Sequence, residues 1–72
     1  MTNSTINIFR NNLKYYRKKC GFTQDKLSEI SGISSDYLSE IERGKRTPGF
    51  KRMDLIAKSL GIEVYQLFKP IE

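Results

Sequence analysis

The sequence contains no histidine and only one cysteine, Cys20, among its 72 residues. Without histidine, the chain lacks the most frequent general base of enzymes and cannot build a histidine-containing zinc site. A single cysteine excludes a disulfide within the chain, so we expect a protein of the reducing cytoplasm. No apolar run approaches the length of a signal peptide or of a membrane-spanning helix.

Other features of catalytic sites are also missing from the sequence. There is no phosphate-binding glycine loop, no metal-ligand spacing, and no pair of carboxylates that cannot be interpreted as surface charge. We therefore predict that the chain is not an enzyme and that it binds no metal, cofactor, small-molecule ligand or membrane. Cys20 is expected to be a small buried residue rather than a reactive thiol.

Positive charge is abundant and unevenly placed, with 13 lysine and arginine residues against 8 acidic residues and a net charge of +5. Residues 1–22 carry five basic residues and no acidic one, whereas residues 23–42 carry five acidic residues and one lysine. Residues 43–60 carry six basic residues and one acidic residue. Two basic segments therefore flank an acidic one, and they form either an ordinary solvated surface or a match for a polyanion.

The central segment, residues 23–44, has the pattern of two short helices joined by a tight turn. Thr23 and Ser34 are suitable N-cap residues, and each precedes an apolar face at helical spacing. Gly32 is expected to end the first helix in a left-handed conformation, with Ile33 buried in the turn. The two apolar faces contain Leu27, Ile30, Ser31, Tyr37, Leu38 and Ile41. Two helices of about two turns with this connection make a helix-turn-helix.

Three further helices are predicted around this motif, at residues 7–19, 50–60 and 64–68, and no segment has a strand pattern. Their inward positions, with the turn residue before the last helix, are Phe9, Leu13, Tyr16, Cys20, Phe50, Met53, Ile56, Ala57, Leu60, Ile62, Val64, Leu67 and Phe68. We expect one domain of residues 1–72 with its core in residues 7–69 and with residues 1–6 frayed.

The segment from Thr23 to Arg46, T-Q-x-x-L-x-x-x-S-G-I-S-x-x-Y-L-S-x-I-E-R-G-K-R, resembles the helix-turn-helix of the XRE family, the Cro- and lambda-repressor-like regulators. The resemblance extends over about residues 9–68. It implies an all-α, five-helix, lambda-repressor-like DNA-binding domain with the helix-turn-helix at helices 2 and 3. It also implies a partly buried ion pair between Arg17 and Glu42 that ties helix 1 to helix 3; the alternative is two independent surface charges.

Helix 3, predicted over residues 35–43, is the candidate reading helix, because the second helix of such a motif lies in the major groove. Its base-facing set is predicted to be Ser34, Ser35, Asp36, Ser39 and Glu40. Family members often have glutamine at the position of Ser35 and a basic residue at that of Glu40, so the operator sequence is not predicted. Carboxylates can accept from cytosine N4, and Glu40 could instead pair with Arg43.

Phosphate contacts are expected beside the reading helix and on helix 1. Gln24, at the start of helix 2, offers an amide next to free backbone N–H groups. The predicted cationic contacts are Lys14, Lys18, Arg43, Lys45 and Arg46. Leu55 and Tyr65 lie outside the predicted core and are expected to form a homodimer contact. A two-fold dimer would place two reading helices about 34 Å apart on a pseudo-palindromic site.

Two functions remain open on the sequence. The first is a sequence-specific transcriptional regulator, most simply a small repressor or controller protein that acts as a homodimer on double-stranded DNA. The second is a protein-interaction module or antitoxin that has the same fold and weak or no base readout. The acidic outward side of helix 3 supports the second, because carboxylates repel phosphates.

Overall fold

The computed structural model describes residues 4–71 as four α-helices followed by one short 3₁₀ helix. The helices are α1 (Thr5–Lys19), α2 (Gln24–Ser31), α3 (Ser35–Glu42) and α4 (Phe50–Leu60), and the 3₁₀ turn is Val64–Phe68. No strand occurs in residues 4–71, which agrees with the predicted all-α class. Within the same residues, no helix has the length and apolarity needed to cross a membrane.

The predicted fifth helix lies at the predicted residues, Val64–Phe68, but it is a 3₁₀ turn of 5 residues rather than an α-helix. The backbone N–H of Gln66 donates to the carbonyl oxygen of Glu63 at 3.0 Å, a spacing of three residues. Gly61 in the left-handed conformation and Pro70 bound this segment closely. So short a segment suits 3₁₀ geometry, which is mostly found in pieces of three to four residues.

The hydrophobic core is formed by one face of each α-helix together with Leu67 of the 3₁₀ turn. Helix α2 contacts α3 and α4, whereas α1 packs against α3 and the 3₁₀ turn. The buried apolar residues are Phe9, Leu13, Leu27, Ile33, Leu38, Ile41, Met53, Ile56, Ala57, Leu60 and Leu67. Burying each large aliphatic side chain contributes about 1.5–3 kcal/mol, so α2 and α3 are held mainly by their neighbours.

The predicted caps and turn of the helix-turn-helix are confirmed. The Thr23 hydroxyl accepts from the backbone N–H of Lys26 at 3.0 Å, and the Ser34 hydroxyl accepts from that of Tyr37 at 3.1 Å. Gly32 has φ +79°, a conformation that ends α2 without a steric penalty. The α3 helix ends at Glu42, one residue earlier than predicted, and Arg43 is its C-cap.

Helix α1 begins two residues earlier than predicted, at Thr5, because Ser4 serves as its N-cap. The Ser4 hydroxyl accepts from the backbone N–H of Asn7 at 3.3 Å. Residues 4–6 are therefore part of the helix or its cap and are not frayed as expected. The same expectation for residues 1–3 concerns positions outside the described part of the chain.

Three residues predicted to face the core are exposed. Phe50 is 85% exposed because it is the first residue of α4, one turn ahead of the first buried position at Met53. Ile30 is exposed near the end of α2. Cys20 is also exposed, since it is the C-cap of α1, and its thiol donates to the carbonyl oxygen of Leu60 at 3.6 Å.

A buried amide that the sequence analysis missed attaches the end of the chain to α1. Asn12 is 1% exposed, and its Nδ2 donates to the carbonyl oxygens of Leu67 at 2.9 Å and Lys69 at 2.8 Å. Asn12 lies one turn after Phe9 on the buried side of α1. Its place in the apolar periodicity of the helix could therefore have indicated that its amide is buried. Leu67 lies within the 3₁₀ turn and Lys69 directly follows it, so this one side chain fixes the turn against α1.

We expect Asn12→Ala to lower the free energy of unfolding by roughly 2–4 kcal/mol, because two carbonyl groups lose their donor. Urea denaturation of the wild type and the variant measures this difference. Asn11→Ala is the matched control, since Asn11 is exposed on the same helix and has the same helix propensity. Equal losses for the two variants would contradict the assigned role of Asn12.

Candidate nucleic-acid interface

The last residue of α3, Glu42, is a buried carboxylate at which three helices meet. Its side chain is 4% exposed. Arg17 of α1 donates from Nε to Oε2 at 2.6 Å and from Nη2 to Oε1 at 3.1 Å. Gln24 of α2 donates from Nε2 to Oε1 at 3.1 Å. Arg17 and Glu42, which the family resemblance pairs, are therefore joined by two hydrogen bonds, and Gln24 adds a third.

This arrangement positions α3 rather than merely adding a surface charge pair. Removing one partner of a buried ion pair typically costs about 3–5 kcal/mol, because the remaining charge stays desolvated. Arg17 also donates from Nη1 to the carbonyl oxygen of Phe22 at 2.7 Å, which fixes the guanidinium on the segment between α1 and α2. The orientation of α3 is thus set from two other helices at once.

Gln24 and Ser35, two residues predicted to contact DNA, are hydrogen-bonded within the protein. The amide nitrogen of Gln24 donates one hydrogen bond to Glu42, so only its second N–H group remains for another acceptor. The Ser35 hydroxyl donates to Oδ1 of Asp25 at 2.7 Å, a contact that links the first residue of α3 to the start of α2. The Ser34 hydroxyl caps α3. These three side chains therefore have structural roles in addition to their predicted ones.

The outward side of α3 carries Asp36, Ser39 and Glu40, as predicted. Glu40, however, does not pair with Arg43, the partner considered from the sequence. Asp36 is exposed, and the other two are partly exposed. Glu40 Oε1 accepts from Nε of Arg46 at 2.8 Å, whereas Arg43 takes no part in this contact. The hydrogen bond that Arg46 donates to Glu40, together with the negative charge of that carboxylate, raises the pKa of the Arg46 guanidinium above its ordinary value.

The ring of Tyr37, on α3, contacts two arginines. The Arg46 guanidinium carbon lies 4.8 Å from the centroid of the Tyr37 ring, and that of Arg52 lies 4.5 Å from it. Cation–π contacts at such sites contribute about 0.5–1 kcal/mol each. Arg52, in the first turn of α4, was not among the predicted site residues. The sequence indicated only that Arg52 belongs to the basic segment 43–60, because its contact with Tyr37 forms only in the folded protein.

Four of the predicted cations remain available to a ligand. Arg43 and Lys45 are exposed at the end of α3, and Lys18 is exposed and Lys14 partly exposed on α1. None of the four forms a salt bridge with any residue from 4 to 71. Elsewhere, the side chains of Leu55 and Tyr65 are exposed, as expected for positions outside the core.

An arginine of α1 that the sequence analysis missed caps the C-terminal end of α3. Arg10 donates from Nη1 to the carbonyl oxygen of Glu42 at 3.3 Å and from Nε to Oδ1 of Asn7 at 2.9 Å. The last turn of α3 has no basic residue of its own, so Arg10 supplies the positive charge that favours a helix C-terminus. Gly44 lies beneath it, since a Cβ there would stand 3.2 Å from Arg10 Cδ.

Comparison with known proteins places this geometry among transcriptional regulators. Residues 13–67 match the HTH_3 helix-turn-helix family. An uncharacterized HTH-type transcriptional regulator of Methanocaldococcus jannaschii is 37% identical over 59 residues, which cover 82% of this chain and 89% of that protein.

Two solved structures are also similar. A hypothetical transcription factor from Neisseria has a TM-score of 0.89 at 25% identity, over 93% of this chain and 77% of that one. The restriction-modification controller protein C.AhdI from Aeromonas hydrophila has a TM-score of 0.84 at 30% identity, and the match covers 88% of this chain and 96% of that one.

We expect Gly44→Ala to destabilise the protein by about 1 kcal/mol more than Gly21→Ala, because the new Cβ displaces Arg10 from the Glu42 carbonyl. Gly21 is a matched control: it also follows the C-cap of a helix and has φ +76°, but no residue other than its chain neighbours has an atom within 4 Å of its Cβ position. Both substitutions carry the same left-handed backbone strain of about 1–2 kcal/mol. In an Arg10→Ala background, the excess should vanish in urea denaturation; an excess that persists there would exclude Arg10 as its cause.

Proposed function

Since the chain belongs to the XRE-type helix-turn-helix family of transcriptional regulators, we propose that it binds double-stranded DNA sequence-specifically, as a homodimer on a pseudo-palindromic operator. The observation that carries this proposal is the placement of α3. The buried Glu42 fixes its orientation, its outward side is accessible, and the cations Arg43 and Lys45 stand exposed at its end. A rigid helix with flanking positive charge suits insertion into the major groove.

The reading surface in this proposal is short and polar. Eight residues of α-helix span about 12 Å, similar to the width of the major groove. The N-terminal outward residues of such a helix face the base edges, which assigns that position to Asp36 together with Ser35 and Ser39. A carboxylate there can accept from cytosine N4, and serine hydroxyls can donate or accept. Because Ser35 already donates to Asp25, its hydroxyl oxygen would act as an acceptor.

The affinity would come mainly from phosphate contacts on both sides of this helix. Arg43 and Lys45 lie at the end of α3, and Lys14 and Lys18 lie off the apolar side of α1. The first N–H groups of α2, near Gln24, add an anion-binding helix terminus. If each subunit neutralises about three to four phosphates, log K should fall with log salt with a slope of about −6.

Regulation in this proposal follows from occupancy of the operator, which either blocks or recruits the polymerase. One of the similar structures is named a restriction-modification controller protein, which supports a small repressor or controller as the most direct assignment. The exposed apolar side chains of Leu55 and Tyr65 support a homodimer contact on the α4 and 3₁₀ side. A two-fold pair would present two copies of α3 to successive turns of one duplex face.

A second function, a protein-interaction module or antitoxin with weak base readout, is favoured by one observation. Ser35 is bonded to Asp25 and Glu40 to Arg46, so part of the outward hydrogen-bonding capacity of α3 is used within the protein. A surface of that kind can dock on a protein as well as on DNA. Binding to DNA sequences is therefore the measurement that separates the two functions.

We expect selection from a random DNA pool to return a pseudo-palindromic sequence, and gel-shift titration to give a salt slope of about −6 for it. Lys45→Ala should weaken binding to all sequences equally and make the slope less steep by about 2, one contact per subunit of the dimer. Lys58→Ala, which removes an exposed lysine in the last turn of α4, is the charge-matched control. No selective binding even at low salt would favour the protein-interaction module.

For the homodimer, sedimentation equilibrium should give a mass twice the 8.4 kDa of the chain. We expect Leu55→Glu to shift the protein to monomer, because the buried contact would then hold two unpaired carboxylates. Tyr65→Ala should weaken the dimer by a smaller factor, and Tyr15→Ala, at an exposed tyrosine of α1, should leave it unchanged. A wild-type protein that stays monomeric at concentrations at which it binds its operator would contradict the two-fold arrangement.

A further inference from the structure

The side chain of Arg46 is held by the reading helix, although its backbone belongs to the connection between α3 and α4. Its Nε donates to Oε1 of Glu40 at 2.8 Å, and its guanidinium lies over the ring of Tyr37 at 4.8 Å. Tyr37 and Glu40 are three residues apart on α3 and therefore lie on one side of that helix. Any movement that carries α3 into a groove would carry this guanidinium with it.

The contact with Glu40 leaves most of the donors of Arg46 available. Only Nε takes part, and no hydrogen bond within residues 4–71 involves Nη1 or Nη2 of this arginine. Each of these two nitrogens carries two N–H groups, so the far end of the planar guanidinium presents a free pair of parallel donors. The side chain is 50% exposed, which leaves that end accessible to a ligand.

The neighbouring carboxylate decides which acceptor this donor pair suits. A phosphate attracts an isolated cation, but it is repelled by the carboxylate of Glu40 beside Arg46. A guanine base presents two neutral acceptors, O6 and N7, which match the paired N–H groups of arginine in the major groove. An arginine whose geometry is already fixed by a hydrogen bond and a ring also loses less rotamer entropy on binding.

We propose that Arg46 is a specificity-determining residue that reads a guanine through O6 and N7, with Glu40 and Tyr37 as its positioning residues. The proposal rests on the DNA-binding function proposed above. It gives Arg46 a role at a base edge in place of the phosphate contact expected from the sequence. It also gives Glu40 an indirect role in base recognition, as the group that orients the guanidinium.

The experiment measures operator affinity by fluorescence anisotropy after the operator has been selected. Each guanine of the half-site is replaced in turn by 7-deazaguanine, which lacks the N7 acceptor. For the wild type, we expect roughly a 10-fold loss of affinity at one guanine per half-site. For Arg46→Ala, affinity for the unmodified operator should fall roughly 10-fold or more, and sensitivity to 7-deazaguanine at that position should disappear.

Two further variants make the assignment specific. Glu40→Ala keeps the charge of Arg46 and should reduce the preference for that guanine, while binding to unrelated DNA is maintained or increased. Lys45→Ala is the matched control for a phosphate contact, and it should lower the affinity while the response to 7-deazaguanine stays intact. Thermal unfolding of each variant verifies that the domain is folded at the assay temperature.

A uniform loss of affinity for Arg46→Ala, with a less steep salt slope and unchanged sensitivity to 7-deazaguanine, would overturn the proposal and restore the phosphate role. That result would leave the proposed function standing, because the wild type would still select an operator. Absence of any selected operator for the wild type would instead overturn the proposed function and this inference together.

Discussion

The structure depends on a single buried carboxylate. Glu42 ends α3 with both carboxylate oxygens hydrogen-bonded, to Arg17 of α1 and to Gln24 of α2. A buried charge is tolerated only when such partners compensate its desolvation, so the three helices cannot shift independently without leaving a charge unpaired. Arg10 adds a fourth contact at the carbonyl oxygen of the same residue. The helix proposed to read DNA is therefore oriented by polar contacts, while the apolar core supplies most of the stability.

The fold also changes what the central acidic segment presents to a polyanion. Residues 23–42 contain five acidic side chains, yet three of them form salt bridges: Glu29 with Lys26, Glu40 with Arg46, and Glu42 with Arg17. The hydrogen bond from Lys26 lowers the pKa of Glu29 below its ordinary value, as expected for a carboxylate beside an ammonium group.

Of the remaining two, Asp25 accepts from the hydroxyl of Ser35, and Asp36 has no hydrogen-bond partner for its carboxylate within the described residues. Of the two acidic residues on the outward side of α3, Glu40 is thus paired with Arg46 after folding, whereas the exposed Asp36 keeps its negative charge. Unpaired positive charge stays at the borders of this side, on α1 and after α3. This distribution suits a reading surface that approaches a duplex closely while its flanks hold the two strands.

Tyr37 connects this electrostatic pattern to the packing of the domain. Its ring is partly buried against the core, and two arginines from different segments, Arg46 and Arg52, lie against it. The connection between α3 and α4 is therefore attached to α3, although it contains no regular secondary structure of its own. Side chains on this connection can accordingly be as well positioned as those on the helix itself.

Local sequence determined the caps at Thr23 and Ser34, the left-handed turn at Gly32, most core positions and, through the family motif, the pairing of Arg17 with Glu42. These features depend on residues within one or two helical turns of each other, or on a motif that can be recognised in the amino-acid sequence. Tertiary structure alone decided that Phe50 and Cys20 are exposed, since helix ends project beyond the core whatever their periodicity.

Tertiary structure also determined three side-chain contacts that the sequence does not specify. Asn12 binds the carbonyl oxygen of Lys69, Gln24 donates to Glu42, and Arg46 donates to Glu40 of α3. Asn12 and its acceptor at Lys69 are separated by 57 positions, and no periodicity of apolar residues specifies which polar groups meet over such a distance. Hydrogen bonds need alignment to within a few tenths of an ångström, and that alignment exists only after the helices have packed.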